Sequence, residues 1–346
     1  QTPGLYSELA NIYMLLGERE AAERSLAMVR SLGGEGDGSQ LDLLEQLYDQ
    51  FQIHGKVRAG VMYDSNVNMG PDSDILTLGN WLVNVPGAEA RGSAGAYLGF
   101  DLDLGWRPQR DSGWWLVGDL KGLWRGYADS ALHDDLHARE SQWGRAGLGA
   151  RYVGSRFLLD ARLKAEIFDY EAWQHVTSVG PELNFVYAPT SYLHLLSAAG
   201  WDKRVYSRGG ERNGGYGWAG EYARLFFGED NHEILLGGRF LWGEARFDDY
   251  SYIGWEGSLR FLFKLPFALE LSPFISLTRE HYDGPATALE TESRLDARWR
   301  TGAALTWRLN ESLSWEISYQ YMDNDSRSSL YDYDQHLISS GMAWSF

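Results

Sequence analysis

The chain has 346 residues, no cysteine and a formal net charge of −17. The absence of cysteine excludes disulfides and thiolate metal sites within it, and the acidic balance argues against a nucleic-acid partner, which would require a basic surface. No run of about 18 apolar residues occurs, so no transmembrane helix is predicted, whereas 40 glycines, 20 tyrosines and 15 tryptophans suit the strands and interfacial aromatics of a transmembrane barrel.

The first predicted elements are helices. Residues 5–33 have the spacing of a tetratricopeptide helix-turn-helix, and a second amphipathic helix is predicted from Gln40 to about Phe51. One such repeat cannot bury its apolar face alone, so we expect either further repeats before residue 1 or another surface that covers it. The residues predicted to pack the repeat are Leu9, Ala10, Tyr13, Gly17 and Ala22.

From about His54 apolar residues recur at every second position, which is the period of a strand. The pattern predicts an all-β transmembrane barrel of about 14 antiparallel strands over residues 54–346, preceded by a short α-helical, TPR-like segment over residues 1–53. Each strand is long enough to cross a bilayer at a tilt, which takes about 9 to 11 residues. The predicted strands are 54–64, 92–106, 114–127, 140–152, 157–169, 177–188, 192–204, 215–226, 233–246, 252–264, 268–281, 293–308, 313–322 and 333–346.

The fifth predicted strand, residues 157–169, shows the alternation most clearly. Leu159, Leu163 and Ile167 alternate with charged residues such as Asp160 and Lys164. This pattern is difficult to place in a soluble core, and it fits a wall that has lipid on one side and water on the other. The direction of the side chains in the seventh predicted strand is ambiguous, because either the set containing Leu193 or the set containing Tyr192 could face outwards.

The links between strands alternate in length. Those after even-numbered predicted strands are short, for example residues 153–156, and those after odd-numbered strands are mostly longer, for example Ser65–Arg91. Outer-membrane barrels combine short periplasmic turns with longer external loops. The even strand number leaves both ends of the barrel region on the side of the short turns, so the helical segment is predicted to lie in the periplasm.

The last predicted strand, Tyr333–Phe346, has apolar or small residues at every second position back from Phe346. Many bacterial outer-membrane barrels close on such an aromatic-rich final strand. An edge strand of a soluble sandwich is the alternative interpretation of this segment, and the rest of the chain disfavours it.

The inward faces of the predicted strands carry charges of both signs. Mixed charges on neighbouring strands can pair across the wall, and we favour this bracing role over a selectivity filter, which would show one dominant sign. The same alternation assigns Glu221 to the lumen. The predicted lumen-lining residues of a transport path are Lys56, Arg58, Asp101, Asp119, Lys121, Arg125, Arg151, Arg162, Lys164, Glu166, Glu182, Arg239, Arg260, Asp296, Arg298 and Arg300.

Few residues suggest catalysis or metal binding. His133, Asp135 and His137 could together hold a divalent cation, although loop residues of this kind are more often only solvated, and we predict no metal or other cofactor. An acidic outer rim is expected, where calcium or a cationic client could bind, although a solvated surface is the simpler interpretation. Its members are Asp64, Asp72, Asp74, Asp323, Asp325, Asp332 and Asp334. No nucleophile elbow, metalloprotease helix or P-loop occurs, so an enzyme is not expected.

Three stretches resemble a known family. VRAGVMYDSNVNMGP, at Val57–Pro71, follows directly on the helical repeat and resembles the first strand and loop of the surface lipoprotein assembly modifiers, the Slam proteins. Residues 324–346 resemble the final hairpin of that family, and residues 291–309 its twelfth strand. The family often carries Arg where this chain has Gln335, so the match is to the architecture more than to a subfamily, and YDSN strand ends also occur in exopolysaccharide-associated barrels.

The resemblance implies a fourteen-stranded barrel that helps to deliver client proteins to the cell surface. Its periplasmic repeats would bind the client or a periplasmic chaperone, and its wall would contact outer-membrane lipid and lipopolysaccharide. Repeat arrays recognise chains, so translocation or assembly of a surface protein is the leading hypothesis. Export of an exopolysaccharide is the main alternative and a general diffusion porin the next. Polysaccharide export would favour aromatic sugar platforms and one dominant charge sign in the lumen.

Overall fold

The structure, a computed structural model, describes residues 50–109, 112–128, 141–170, 174–228 and 232–346. The predicted repeat, with its packing residues, and the candidate metal residues His133, Asp135 and His137 lie outside these ranges. In the described ranges, no helix is both long and apolar enough to cross a membrane.

Fourteen strands form one closed antiparallel barrel, which confirms the predicted fold class. Strands β1 and β4–β16 follow one another around the wall, and β1 pairs with both β16 and β4. Two further short strands, β2 and β3, form a separate hairpin between β1 and β4 that the sequence did not predict. The strands are β1 Phe51–Asp64, β2 Ile75–Leu78, β3 Trp81–Asn84, β4 Ser93–Trp106, β5 Trp114–Tyr127, β6 Ser141–Val153, β7 Phe157–Tyr170, β8 Gln174–Thr190, β9 Leu193–Tyr206, β10 Gly214–Phe227, β11 His232–Ala245, β12 Tyr252–Leu265, β13 Leu269–Tyr282, β14 Leu295–Arg308, β15 Leu313–Ser326 and β16 Tyr333–Ser345.

The two faces of the wall separate by polarity. In β7, Leu163 is 60% exposed on the outside, whereas Lys164 is only 6% exposed on the inside. The ambiguity in β9 is resolved by its register with β8: Gly200 lies opposite the inward Glu182, so Leu193 and Leu195 face outwards. The structure therefore has the outside apolar and the inside charged, as a membrane-spanning barrel requires.

The barrel has a turn side and a loop side. Among the links that the structure describes in full, residues 154–156, 191–192, 266–268 and 309–312 lie on the turn side, and residues 65–92, 207–213, 246–251, 283–294 and 327–332 lie on the loop side. β7 ends at Tyr170 and β8 begins at Gln174, so both strands extend further than the sequence predicted. Aromatic pairs lie near the turn side, with ring centroids 5.0 Å apart for Trp114 and Tyr152 and 4.7 Å apart for Trp344 and Phe346. Such rings are typical of a membrane interface.

The first and last strands meet at a seam. The β1–β16 register runs from Lys56 opposite Ser345 to Asp64 opposite Leu337, whereas β1 pairs with β4 along its whole length. Phe346 extends the seam through two backbone hydrogen bonds with Gly55, at 2.8 and 2.9 Å. The last strand thus closes the barrel, as its aromatic alternation predicted.

Candidate functional site

The lumen is the first part of the candidate site. The strand registers place all sixteen predicted lumen residues on the inner face. The inner wall carries charges of both signs, and most of these residues contact an oppositely charged neighbour. Their role in transport stays a prediction.

Buried ion pairs cross the inner wall from β5 to β9. Asp119, whose side chain is fully buried, accepts hydrogen bonds from Arg145 at 3.0 Å and from Arg162. Arg162 also donates to Asp160 at 2.7 Å, and Arg145 lies 3.2 Å from Glu182. Buried charges need partners of opposite sign and further hydrogen bonds, and this network provides both.

Two members of this network were not predicted. Arg145 has the same parity in β6 as the predicted Arg151, so the alternation could have found it. Asp202 lies on the inner face of β9, 3.5 Å from Lys164, and its parity was hidden by the ambiguity of that strand. Together they extend the ion-pair network to five neighbouring strands.

The rest of the inner wall carries smaller groups. Arg58 lies 2.5 Å from Asp101, and Lys56 pairs with Glu316 across the seam. On β11–β14, Glu256 accepts hydrogen bonds from Arg239 at 3.0 Å and from Arg300 at 3.2 Å. No single sign of charge dominates either side, so the lumen suits a polar chain or solute better than one class of ion.

Glu221 does not face the lumen, and its predicted position was wrong. Tyr216 in the same strand lies opposite the inward Asp202, so residues of odd number in β10 point outwards. Glu221 is exposed on the outer wall, where it accepts a hydrogen bond from Ser197 Oγ at 2.7 Å.

Residues 65–92, which we name the lid, form the second part of the candidate site. The lid leaves β1, includes the β2–β3 hairpin and reaches the loops that follow β13 and β15. Ser329 Oγ donates to the Thr77 carbonyl at 2.8 Å, and a Cβ on Gly79 would lie only 2.3 Å from the Leu289 carbonyl oxygen. The lid therefore covers part of the loop-side mouth.

The lid is held by buried polar side chains of the YDSNVN stretch. Asn66, 1% exposed, donates to the carbonyls of Gly70 and Asp334, both at 2.8 Å. Asn68 donates to the Glu89 carbonyl at 2.9 Å and accepts from the Arg91 N–H at 3.0 Å. These side-chain hydrogen bonds hold the parts of the lid outside the β2–β3 hairpin, where the backbone forms no strand ladder.

Asp64 is one of the buried side chains that hold the lid. It is not part of a solvated acidic rim, which corrects its predicted position. It is 2% exposed and accepts hydrogen bonds from Gln335 Nε2 at 2.8 Å and from the Asn66 N–H at 2.9 Å. Tyr127 also donates to it, at 3.2 Å. The carboxylate therefore joins the ends of β1, β5 and β16.

The remaining acidic residues of the mouth affect one another. Burial, followed by repulsion from Asp325, Asp323 and Asp72, raises the pKa of Asp332 above its ordinary value of 3.8. A hydrogen bond from the Glu89 N–H, at 2.8 Å, lowers the pKa of Asp74 within the lid.

Among the residues that the structure describes, no group of three or more His, Cys, Asp or Glu side chains could hold a metal ion.

A cavity of about 390 Å³ lies between the lid and the inner wall of β14–β16. Met69 and Val85 line it from the lid, and Arg294, Arg298 and Tyr331 line it from the wall. Arg294 is already neutralised by Asp296 at 2.5 Å, and its guanidinium stacks 3.4 Å from the Tyr331 ring centroid. The arrangement can hold the lid in place against the wall.

The chain is similar to known proteins in sequence and in structure. The model of the surface lipoprotein assembly modifier family matches residues 54–346. No curated protein matches the chain. Similar solved structures include the outer membrane channel DcaP of Acinetobacter baumannii, with 8% identity over 86% of this chain and 97% of that chain and a TM-score of 0.47. OprB of Pseudomonas putida has 9% identity over 90% of this chain and 97% of that chain, also with a TM-score of 0.47. At these scores the two structures support no conclusion about function.

Proposed function

Because this chain belongs to the surface lipoprotein assembly modifier family, we propose that its outer-membrane barrel passes a surface lipoprotein to the cell exterior or assembles it there. The segment before β1, which the sequence predicts to be helical, would lie in the periplasm and bind the client or its chaperone. Lipid and lipopolysaccharide would contact the outer wall. No catalytic step is required for this function.

The observation that carries the proposal, beside the family, is a charged lumen covered in part at its loop side by an anchored lid. A passing polypeptide needs a polar wall without one strong charge sign, because sequences of both signs must move along it. The pairs around Asp119 and Glu256 neutralise the wall locally. The lid would keep the mouth closed until a client displaces it.

A second candidate, export of a polysaccharide through a porin-like barrel, is favoured by a row of inward tyrosines. The ring centroids of Tyr216 and Tyr252 lie 6.2 Å apart, and those of Tyr252 and Tyr282 lie 5.4 Å apart. A sugar platform needs an open ring face, and Tyr216 is only 5% exposed. The row therefore supports packing beneath the mouth more strongly than sugar binding.

Deletion of the gene tests both candidates. We expect surface-exposed lipoproteins, measured by protease treatment of intact cells, to fall while their total amount stays the same. Re-expression of the full chain should restore them. An unchanged set of surface lipoproteins would contradict the proposal, and loss of surface polysaccharide in the same strain would favour the second candidate.

A further inference from the structure

Glu221 occupies an unusual place for an ionisable residue. It lies in the middle of β10, seven residues after Gly214 and six before Phe227, and its side chain is exposed on the outer wall. In a membrane this position faces hydrocarbon. Ionisable groups there are costly and are usually paired, either with one another or with a polar partner.

The rest of the described outer wall keeps charge away from its middle. The other outward charged side chains lie within about four residues of a strand end, where long side chains reach the interface. Lys203 near the end of β9, Arg279 near the end of β13 and Asp323 near the end of β15 are examples. Glu221 is the exception among the residues that the structure describes.

The wall around Glu221 is recessed. At the height of Glu221 the neighbouring outward positions are Ser197, Gly238 and Gly257, and this row ends at Phe185 and Leu277. A groove of about 510 Å³ follows this surface. Small residues at a membrane interface allow another backbone to approach closely, and polar side chains there bind across it.

The hydrogen bonding of Glu221 is incomplete within the described residues. Ser197 Oγ donates to Oε2, and no described group donates to Oε1. A carboxylate accepts hydrogen bonds at both of its oxygens. On the outer wall, therefore, Oε1 of Glu221 lacks a donor from the described part of the chain. Charge complementarity therefore indicates a cationic occupant.

We propose that the outer face of β8–β12, centred on Glu221, docks a membrane-spanning segment of another protein that presents a lysine or arginine at mid-depth. The cation would donate to Oε1, and the segment would lie in the groove at Gly238 and cross Gly257, the next outward position in that row. This inference rests on the barrel lying in a membrane and is independent of what passes through the lumen.

A second copy of this chain is a poorer occupant. Copies inserted in the same direction hold equivalent residues at equivalent depths, so Glu221 would meet the middle of another wall. The described outer wall has no cation at that depth, since Lys203 and Arg279 lie near the loop side. A second Glu221 would add a like charge.

The charge preference can be measured with defined probes. The purified full chain is placed in phospholipid vesicles with a dansyl-labelled polyleucine transmembrane peptide that carries one central lysine, or with the same peptide lacking it. Energy transfer from the protein's tryptophans reports association. We expect the lysine peptide to bind about tenfold more tightly, and we expect Glu221→Leu to abolish this preference. Equal binding of the two peptides, or a preference that survives Glu221→Leu, would overturn the proposal.

Two matched glycines test the groove. A Cβ at Gly257 or at Gly144, on the distant β6, would meet nothing within 4 Å, so the fold should tolerate leucine at either position. We expect Gly257→Leu to weaken binding of the lysine peptide and Gly144→Leu to leave it unchanged. Equal effects would overturn the docking site.

Glu221→Leu removes a charge from hydrocarbon and should fold at least as well as the wild type, which heat-dependent gel mobility checks.

Crosslinking in cells identifies the occupant. A photoreactive residue replaces Ala219, which faces outwards beside Glu221, or Ala146, which faces outwards on β6, four strands away and outside the proposed docking face. We expect an adduct only from Ala219, lost in Glu221→Leu, whose partner peptide spans the membrane and contains lysine or arginine. An adduct with a second copy of this chain, or with lipid alone, would overturn the proposal.

Discussion

At the scale of residues, the inner wall of the barrel tolerates buried charge because each charge has more than one partner. Asp119 illustrates this, since its side chain is fully buried between Arg145 and Arg162. Each arginine keeps a second acidic partner, Glu182 and Asp160 respectively. Loss of one member therefore weakens the network without leaving an isolated charge.

We predict that Asp119→Asn lowers the free energy of unfolding by about 1 to 3 kcal/mol, the cost of a poorly satisfied buried polar group. Asp103→Asn is the matched control, because Asp103 is 48% exposed and lies 3.9 to 4.0 Å from its partners. That control should cost less than about 1 kcal/mol. Urea unfolding of the barrel in vesicles measures both, and equal losses would contradict a special role for Asp119.

The sequence predicts most of the lumen residues, and the failures have a physical cause. In β10 the outward residues near the centre are Gly217, Ala219 and Glu221, while Tyr216 and Trp218 face inwards. The more apolar set therefore lies on the wrong face for a simple alternation argument. Only pairing with β9 fixes the parity, and pairing is a property of the folded wall.

At the scale of elements, the lid shows what alternation cannot predict. The sequence indicates a long link after β1, but its position depends on side chains that bind distant backbone, as Asn66 does with Asp334. The β2–β3 hairpin has strands of only four residues, and such short strands carry little periodic signal. Gly79, at a φ of 61°, allows the hairpin to turn beside Leu289.

The pKa of Asp332 predicts a pH dependence at the mouth. Because this pKa is raised in the folded state, protonation favours the fold: the contribution is present below the ordinary value of 3.8 and is lost as the pH rises through the raised pKa. We therefore expect Asp332→Asn to match the wild type at low pH and to be more stable above that window. Thermal unfolding of both proteins across the window measures the difference.

Asp248→Asn, in another loop on the loop side, is the control for this measurement. It removes an exposed carboxylate away from Asp72, Asp323 and Asp325. If it reproduces the pH-dependent gain of Asp332→Asn, the effect comes from net charge and not from the acidic group at the mouth.

At the scale of the whole molecule, the fold is readable from the sequence because a transmembrane barrel repeats one rule. Every strand must alternate, and every second link must be short, so individual ambiguities such as that in β9 do not affect the architecture. The fourteen predicted strands, the two sides and the closing strand all follow from that rule. The two surfaces for which we propose a function, the lid and the wall at Glu221, break the rule, and these are the features that pattern alone misplaces or leaves undetermined.

Closure of the barrel at its seam gives the last prediction. Gly60 and Gly341 lie opposite each other between β1 and β16, and a Cβ on Gly341 would lie 2.4 Å from the Ala59 carbonyl oxygen. Backbone atoms cannot yield as a side-chain end does, so the strands must separate. We expect Gly341→Ala to lower the free energy of unfolding by about 1 to 3 kcal/mol and to reduce the folded fraction seen by heat-dependent gel mobility. Gly144→Ala, whose Cβ meets open space, should change neither, and equal behaviour of the two variants would contradict a contribution of close packing at Gly341 to the stability of the seam.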